Sequence, residues 1–407
     1  MTEKERQTFV AGEYDVIVTG GGIAGVAAAI ASARAGAKTL LIEKMYMLGG
    51  LATAGLVTIY LPLCDGKGTQ VSFGLAEELL KLSVTYGFEP GPDDEIVSPW
   101  LRESTPEERL KRRYRVRFNA QVYAILCEQM LRKTGVDILY GTSICAAPVE
   151  NDKVTAVITE NKSGRQAYVA RSFVDATGDA DLCALAGEKT AVYQQGNVLA
   201  GWYYELVDGK YKLHMVGTAD KPNKYKTAQQ IAADTKTRYT GLDGGEISQL
   251  LFDSHDATLA HFLKNGGISA DHALATMATF PQLRMTRRVV GPYELDDTEM
   301  FKSFPDSIGM VSDWRKSGPV YEIPFRCLYG KTIKNVITCG RCISVTDAMW
   351  DITRVIPDCA VTGEAAGLAA AISDDFGKLD VSVLQQKLRE NGVKLHLKDV
   401  GLQPETK

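Results

Sequence analysis

Little in this chain marks it for the cell surface, a membrane or nucleic acid. Eight cysteines in 407 residues are too few for a disulfide scaffold, which excludes the small stapled folds of secreted proteins. No apolar run reaches the roughly 20 residues that a bilayer-crossing helix needs. The most apolar stretch near the N-terminus is broken by glycines at 20, 21, 22 and 25. The segment Met1–Thr8 is polar and charged, so it does not read as a signal peptide. Positive charge is not in excess: the net charge is −4, which gives no reason to expect nucleic acid or an acidic membrane surface as partner. Clusters with metal-ligand spacing are lacking, so no metal is expected. There is no internal repeat and no long low-complexity tract. What is left reads as a reduced, cytoplasmic globular protein. The hydrophobic share of 45% and charged share of 24% fit that class. The length exceeds one ordinary core, so two or three domains are expected.

What is present begins at Asp15-Val16-Ile17-Val18-Thr19-Gly20-Gly21-Gly22-Ile23-Ala24-Gly25, followed by an alanine-rich stretch and Thr39-Leu40-Leu41-Ile42-Glu43. The pattern predicts a strand, a glycine turn, a helix and a second strand ending in an acid. Gly20 permits the tight turn. Gly22 lets backbone approach a pyrophosphate, and Gly25 lets the helix pack on the strand. The helix N-terminus offers free N–H groups and a partial positive charge. Glu43 stands where an acid accepts hydrogen bonds from a ribose 2′-OH, and an acid there disfavours a 2′-phosphate, although Lys44 follows it.

Helical apolar spacing places Val71, Leu75, Leu79 and Leu82 on one side of a helix over 71–86, and Val122, Ile125, Leu126 and Met130 on the inner side of another over 119–134. Between them, four prolines in 88–106 predict an irregular excursion, and 107–117 reads as a solvated charged face. Strands are expected at 136–140, 144–149, 154–159, 167–170 and 172–176. From about 190 to 330 the βαβ rhythm stops. Trp202-Tyr203-Tyr204 reads as core, and the lysines of 209–226 as a solvated face.

Two later motifs carry chemistry. Val174-Asp175-Ala176-Thr177-Gly178-Asp179 ends a buried strand in small residues. Asn335-Val336-Ile337-Thr338-Cys339-Gly340-Arg341-Cys342-Ile343-Ser344 is another strand and loop, followed by Arg354-Val355-Ile356-Pro357 and the small-residue stretch Thr362-Gly363-Glu364-Ala365-Ala366-Gly367. Pro357 suits the first turn of a helix, which would aim its positive end at whatever lies before it. Gly363 and Gly367 allow close packing on a cofactor or on the sheet. With the glycine turn, these segments resemble the FAD-dependent oxidoreductases of the glutathione-reductase-like superfamily, and more narrowly the bacterial group with a GRCIS-type loop.

That resemblance implies an α/β, Rossmann-like FAD-binding domain (parallel sheet plus β-meander) with an α+β cap. The FAD domain would be built from 1–190 and 332–407, and the cap from 191–331. The resemblance implies FAD with its AMP half at residues 20–25 and 43, and the pyrophosphate and ribityl chain near Gly49-Gly50 and Gly340-Arg341. The flavin would lie at the boundary with the cap. The implied contact residues are Gly20, Gly22, Ile23, Ala24, Gly25, Glu43, Lys44, Gly49, Gly50, Gly178, Asp179, Gly340, Arg341, Arg354 and Ala360. No second GxGxxG for a resident NAD(P) is found, so electrons are expected from the substrate or from a transiently docking acceptor or donor.

In Leu283-Arg284-Met285-Thr286-Arg287-Arg288-Val289, strand alternation puts Arg287 with Met285 and Val289, and so predicts it partly buried. A substrate carboxylate and a structural ion pair are equally open as its partner. Arg284 and Arg326 are further candidates for anchoring substrate. Four of the five histidines (His214, His255, His261, His272) fall in 191–331, and no one of them stands out as a general base. Cys339 and Cys342 read as small buried thiols beside the cofactor. A dithiol-linked reductase using them, and a non-catalytic FAD-binding or redox-sensing protein, are the alternatives to hydride transfer. The oligomeric state is left open.

Overall fold

The computed structural model describes residues 7–86, 105, 107, 115–217, 222–233 and 237–405. The proline-rich excursion at 88–106 therefore lies outside the described residues apart from Thr105. So does the charged segment 107–117 apart from Glu107 and residues 115–117, and so do 218–221 of the lysine-bearing stretch.

Seven strands form the main sheet: β1 (Phe9–Thr19), β2 (Thr39–Ile42), β3 (Asp137–Leu139), β4 (Ser143–Ala146), β5 (Ala156–Asn161), β6 (Gly164–Asp175) and β7 (Val336–Thr338). The order is β3-β2-β1-β6-β5-β4, with β7 also paired to β6. β1 runs parallel to β6 along one edge. On the other edge, Gly164–Val169 pairs antiparallel with β5, and Phe173–Asp175 pairs parallel with β7. One strand thus joins the parallel half to the antiparallel half. The sequence predicted two strands there, at 167–170 and 172–176. They are one, because the extended backbone continues and the register with β1 is the same on either side of Arg171. Val16, Ile17 and Val18 are all fully buried, as expected for a parallel strand covered on both faces.

Helix α1 (Ile23–Arg34) follows β1, and α4 (Ile356–Ile372) packs beside it. A Cβ at Gly363 would lie 2.3 Å from the Ala24 carbonyl oxygen, and one at Gly367 would lie 2.0 Å from that of Ala28. These glycines therefore pack on a helix, not on the sheet or a cofactor as expected. Small residues on both helices let the backbones touch.

The two other predicted helices form with shifted details. α2 (Leu75–Thr85) starts after Gly74, whose φ of +64° ends the preceding extended chain. It buries Leu79 as expected, while Leu82 is half-buried. α3 (Ala120–Lys133) is capped by the Asn119 side chain and buries Tyr123, Cys127 and Leu131. Ile125, expected inward, is 57% exposed. The aromatic ring and the thiol fill the core, so the inner face is turned from the predicted one.

Between 190 and 331 the strand Gly201–Val207 lies between Lys210–Val216 and His272–Met277, all antiparallel, with the helix Gly244–Lys264 against it. Trp202, Tyr203 and Tyr204 are buried there. The later hairpin of Ser307–Ser312 and Val320–Pro324 joins the central core, where Ile308, Val311, Tyr321 and Ile323 share one apolar cluster with α1 and α4. Among the described residues no single helix is long and apolar enough to cross a membrane.

Candidate cofactor site

A cavity of about 340 Å³ opens at the carboxyl ends of β1, β2, β6 and β7, where open α/β sheets bind ligands. The glycine turn forms one wall. Gly20, at φ +100°, could carry no Cβ, which would come within 2.5 Å of the Ala176 carbonyl oxygen. At Gly25 the same atom would lie 1.8 Å from the Gly20 oxygen. Gly22 differs: its Cβ would meet nothing within 4 Å and would enter the cavity that Gly22 lines. The first N–H groups of α1 have no side-chain cap and so remain available to an anion.

Glu43 ends β2 and lines the same cavity. Its two oxygens accept from the Gly21 N–H at 2.5 Å and the Met45 N–H at 2.7 Å. The backbone thereby fixes the carboxylate and leaves each oxygen a second lone pair. Gly49 donates to the Gly21 carbonyl at 2.8 Å, which folds the 49–52 loop over the turn.

Opposite, Arg341 lies across Gly178, where a Cβ would come within 2.2 Å of Nη2. Its Nη1 donates to the carbonyls of Leu283 at 2.9 Å and Arg284 at 3.2 Å, and its Nη2 lies 3.6 Å from Asp179. Arg354 donates through Nε and Nη2 to one oxygen of Asp351, at 3.1 and 2.5 Å. Helix α4 starts at Ile356, with Pro357 second and no side-chain cap; Ile356 and Cys359 line the cavity. Two uncapped helix N-termini thus open on one space.

Of the residues implied for the cofactor, Gly20, Gly22, Ile23, Ala24, Glu43, Lys44, Gly49, Gly50, Gly178, Arg341 and Arg354 line this cavity. Gly25, Gly340, Asp179 and Ala360 do not. Gly25 packs on the turn, and Gly340 lies against Ala24 and Cys359. Asp179 takes a hydrogen bond from Thr286 at 2.7 Å, and Ala360 is fully buried. Thr142, Ser143 and Ile144 also line the cavity. They were not read from sequence, because only the pairing of β3 with β2 brings them beside Glu43. Phe280, another lining residue, stands in a run with no periodic signal. Its ring lies 5.4 Å from the Lys44 ammonium.

None of Arg284, Arg287 and Arg326 is among the lining residues. The strand predicted over 283–290 is confined to Arg287–Val289, so alternation fails before it. Arg284 and Arg288 are buried, while the Arg287 side chain keeps 21% of its surface. Arg287 pairs with Asp181 at 2.7 Å and donates to the Asp179 carbonyl at 2.9 Å, a structural ion pair. Burial first, then Asp179 and Asp175, push the Asp181 carboxyl up. Arg326 lies over Tyr293 and 3.7 Å from Asp306.

Cys339 and Cys342 are both buried, and burial drives both thiols well above their usual range. Cys339 lines the cavity and belongs to the central core; Cys342 belongs to the cluster on the other side of the sheet. His214 and His272 flank the Glu205 carboxylate, and His261 bonds the Tyr203 hydroxyl at 2.9 Å. No histidine lines the cavity.

The profile of the family described as FAD dependent oxidoreductase matches residues 15–200 and 196–390. The chain belongs to that family. FAD is the cofactor of that family, and the α/β fold described above fits it. A thioredoxin reductase of Ureaplasma parvum serovar 3 is 32% identical over 83 residues, 20% of this chain and 26% of the relative. The chain thus matches only about a quarter of that relative's length. Among solved structures, a geranylgeranyl bacteriochlorophyll reductase-like protein of Thermoplasma acidophilum aligns over 95% of this chain and 86% of its own, at 15% identity and a TM-score of 0.49. A 3-ketosteroid-Δ4-(5α)-dehydrogenase of Rhodococcus jostii aligns over 89% and 98%, at 14% identity and a TM-score of 0.41.

Proposed function

We propose that FAD lies in this cavity with its AMP half at Gly20–Gly25 and Glu43 and its flavin toward Arg354 and Ile356. In this reading the chain passes electrons between a small organic substrate and the flavin. The observation that carries it is the convergence of two uncapped helix N-termini on one cavity, beside a glycine whose missing Cβ leaves that cavity open. When bound, FAD supplies a hydride acceptor and donor at flavin N5. The protein supplies the rest. The N–H groups of α1 and the guanidinium of Arg341 face the pyrophosphate, and Glu43 offers a fixed acceptor to the ribose hydroxyls. The N-terminus of α4 and Arg354 hold positive potential where a reduced flavin would carry negative charge.

The narrower class, with a GRCIS-type loop in the glutathione-reductase-like superfamily, is supported by the way Cys339–Ser344 leaves β7 and turns Arg341 into the cavity. The division into an FAD domain of 1–190 and 332–407 and a cap of 191–331 is supported by the pairing of β7 with β6. A dithiol relay is disfavoured, since Cys342 sits away from the cavity.

The electron source is tested by anaerobic incubation of the holoenzyme with small organic metabolites and with NADH or NADPH. The reading expects a metabolite to bleach the flavin at a rate that neither nicotinamide matches. Bleaching by NADH or NADPH alone would overturn it.

A further inference from the structure

We infer that Arg284 is the anchor for a carboxylate group on the substrate, which makes the substrate class a small organic acid. This deepens the preceding proposal and rests on it for the position of the flavin, though not for the carboxylate site itself.

Arg284 is 8% exposed, and among the described residues it pairs with no carboxylate. Its Nε has no hydrogen-bond partner. Its side chain makes one long hydrogen bond, 3.4 Å to Gln282 Oε1, and its guanidinium lies 5.1 Å from the Trp202 ring centroid. Other arginines each have an acid, although Arg288 too leaves its Nε and Nη1 without a hydrogen-bond partner. Arg288 pairs with Glu294 at 2.7 Å, Arg315 with Asp313 at 2.9 Å, Arg287 with Asp181, and Arg354 with Asp351. A buried guanidinium without an anion is costly, and proteins rarely keep one except where something else brings the counter-charge.

The surroundings add positive charge. Arg341, a wall of the cavity, holds the backbone carbonyl of Arg284 itself. Burial and the charges of Arg354 and Arg341 push Arg284 down to about 9, and only Asp351 pulls the other way. Asp351 is already bonded to Arg354 and lies 3.4 Å from Arg315. The one acid that offsets the charge at Arg284 is thus already taken by other guanidinium groups.

The chemistry favours a carboxylate over a phosphate. Arg284 presents one planar fork with an aromatic face beside it, the geometry of bidentate carboxylate recognition. No helix begins at 281–286 and no lysine pairs there, so the array of N–H groups that phosphate sites use is missing.

Acetate, benzoate and succinate serve as probes. Each is titrated into the holoenzyme and followed by calorimetry and by the flavin difference spectrum. The expected result is saturable binding of at least one probe to wild type. Arg284→Met should weaken that binding at least tenfold, and Arg284→Lys should fall between. FAD content and the flavin midpoint potential should stay at wild-type values. Met replaces a buried charge with an apolar chain of similar length, a change that cores accept; Lys keeps the test alive if Met does not fold. The inference fails if no probe binds wild type, or if Arg284→Met binds with an unchanged dissociation constant. It also fails if that variant loses FAD or shifts the midpoint while probe affinity stays intact, since Arg284 would then serve the cofactor. A protein without flavin would overturn the preceding proposal, and calorimetry would still decide this one.

Discussion

One added carbon at Gly22 separates the cofactor from the fold. The backbone there has φ −64° and ψ 175°, a conformation any L-residue adopts, and a Cβ would meet no atom within 4 Å. In Gly22→Ala, the loss of glycine's freedom in the unfolded chain stabilises by about 0.4–1 kcal/mol. The poorer helix cap costs a similar amount, from a few tenths to about 1 kcal/mol. The apo variant should therefore stay within about 1 kcal/mol of wild type. Its methyl group, however, occupies the space through which a pyrophosphate reaches the N–H groups of α1. A hundredfold loss of FAD affinity corresponds to about 2.7 kcal/mol. With FAD at a hundred times the wild-type Kd, ligation stabilises wild type by about 2.7 kcal/mol, but the variant, then at its own Kd, by only about 0.4 kcal/mol. Chemical denaturation of both apoproteins with and without FAD, together with flavin fluorescence titration, reads both quantities. Wild-type FAD affinity in the variant would defeat this picture of the turn. So would an apoprotein weakened by more than about 2 kcal/mol, which is beyond what these opposing backbone effects allow.

The other expectations probe the helix contact, a buried acid and the thiols. Gly367→Ala drives a methyl group against the Ala28 carbonyl and should cost about 1–3 kcal/mol by overpacking; an unchanged denaturation midpoint would mean that α1 and α4 do not touch as described. Glu364 accepts from the Leu75 N–H at 2.7 Å, and burial pushes its carboxyl up from 4.5 to about 7. The fold favours its neutral form, so its contribution is complete below about pH 4.5 and is lost as pH rises through about 7, on the order of 3 kcal/mol in all. Glu364→Gln should therefore gain stability relative to wild type between pH 5 and 8 in paired melting curves, and parallel curves would contradict the shift. Cys342→Ser should turn over at close to the wild-type rate with a suitable electron acceptor, whereas abolished turnover together with a lost charge-transfer band would restore the dithiol reading.

The dinucleotide unit was legible because each part of it is local. A strand, a turn, a helix and an acid lie close together in sequence; Gly20 and Gly25 answer backbone distances, and Gly22 leaves the cavity open. The small residues of α4 were legible as a packing device, but not their partner, since contact with α1 joins segments more than three hundred residues apart. Arg287 is partly buried, as alternation predicted. The deeper burial of Arg284 was not legible for a related reason: alternation holds only inside a strand, and the strand begins at Arg287. Thr142–Ile144 escaped notice because sheet order, not sequence spacing, sets them beside Glu43. The inner face of α3 was turned because Tyr123 and Cys127 fill the core better than a pattern of aliphatic residues alone suggests.

The absorption spectrum and acid-released cofactor of the purified or FAD-reconstituted protein bear on the whole reading at once. A flavin spectrum with one FAD released per chain is expected. Colourless protein that takes up no FAD on reconstitution would contradict it.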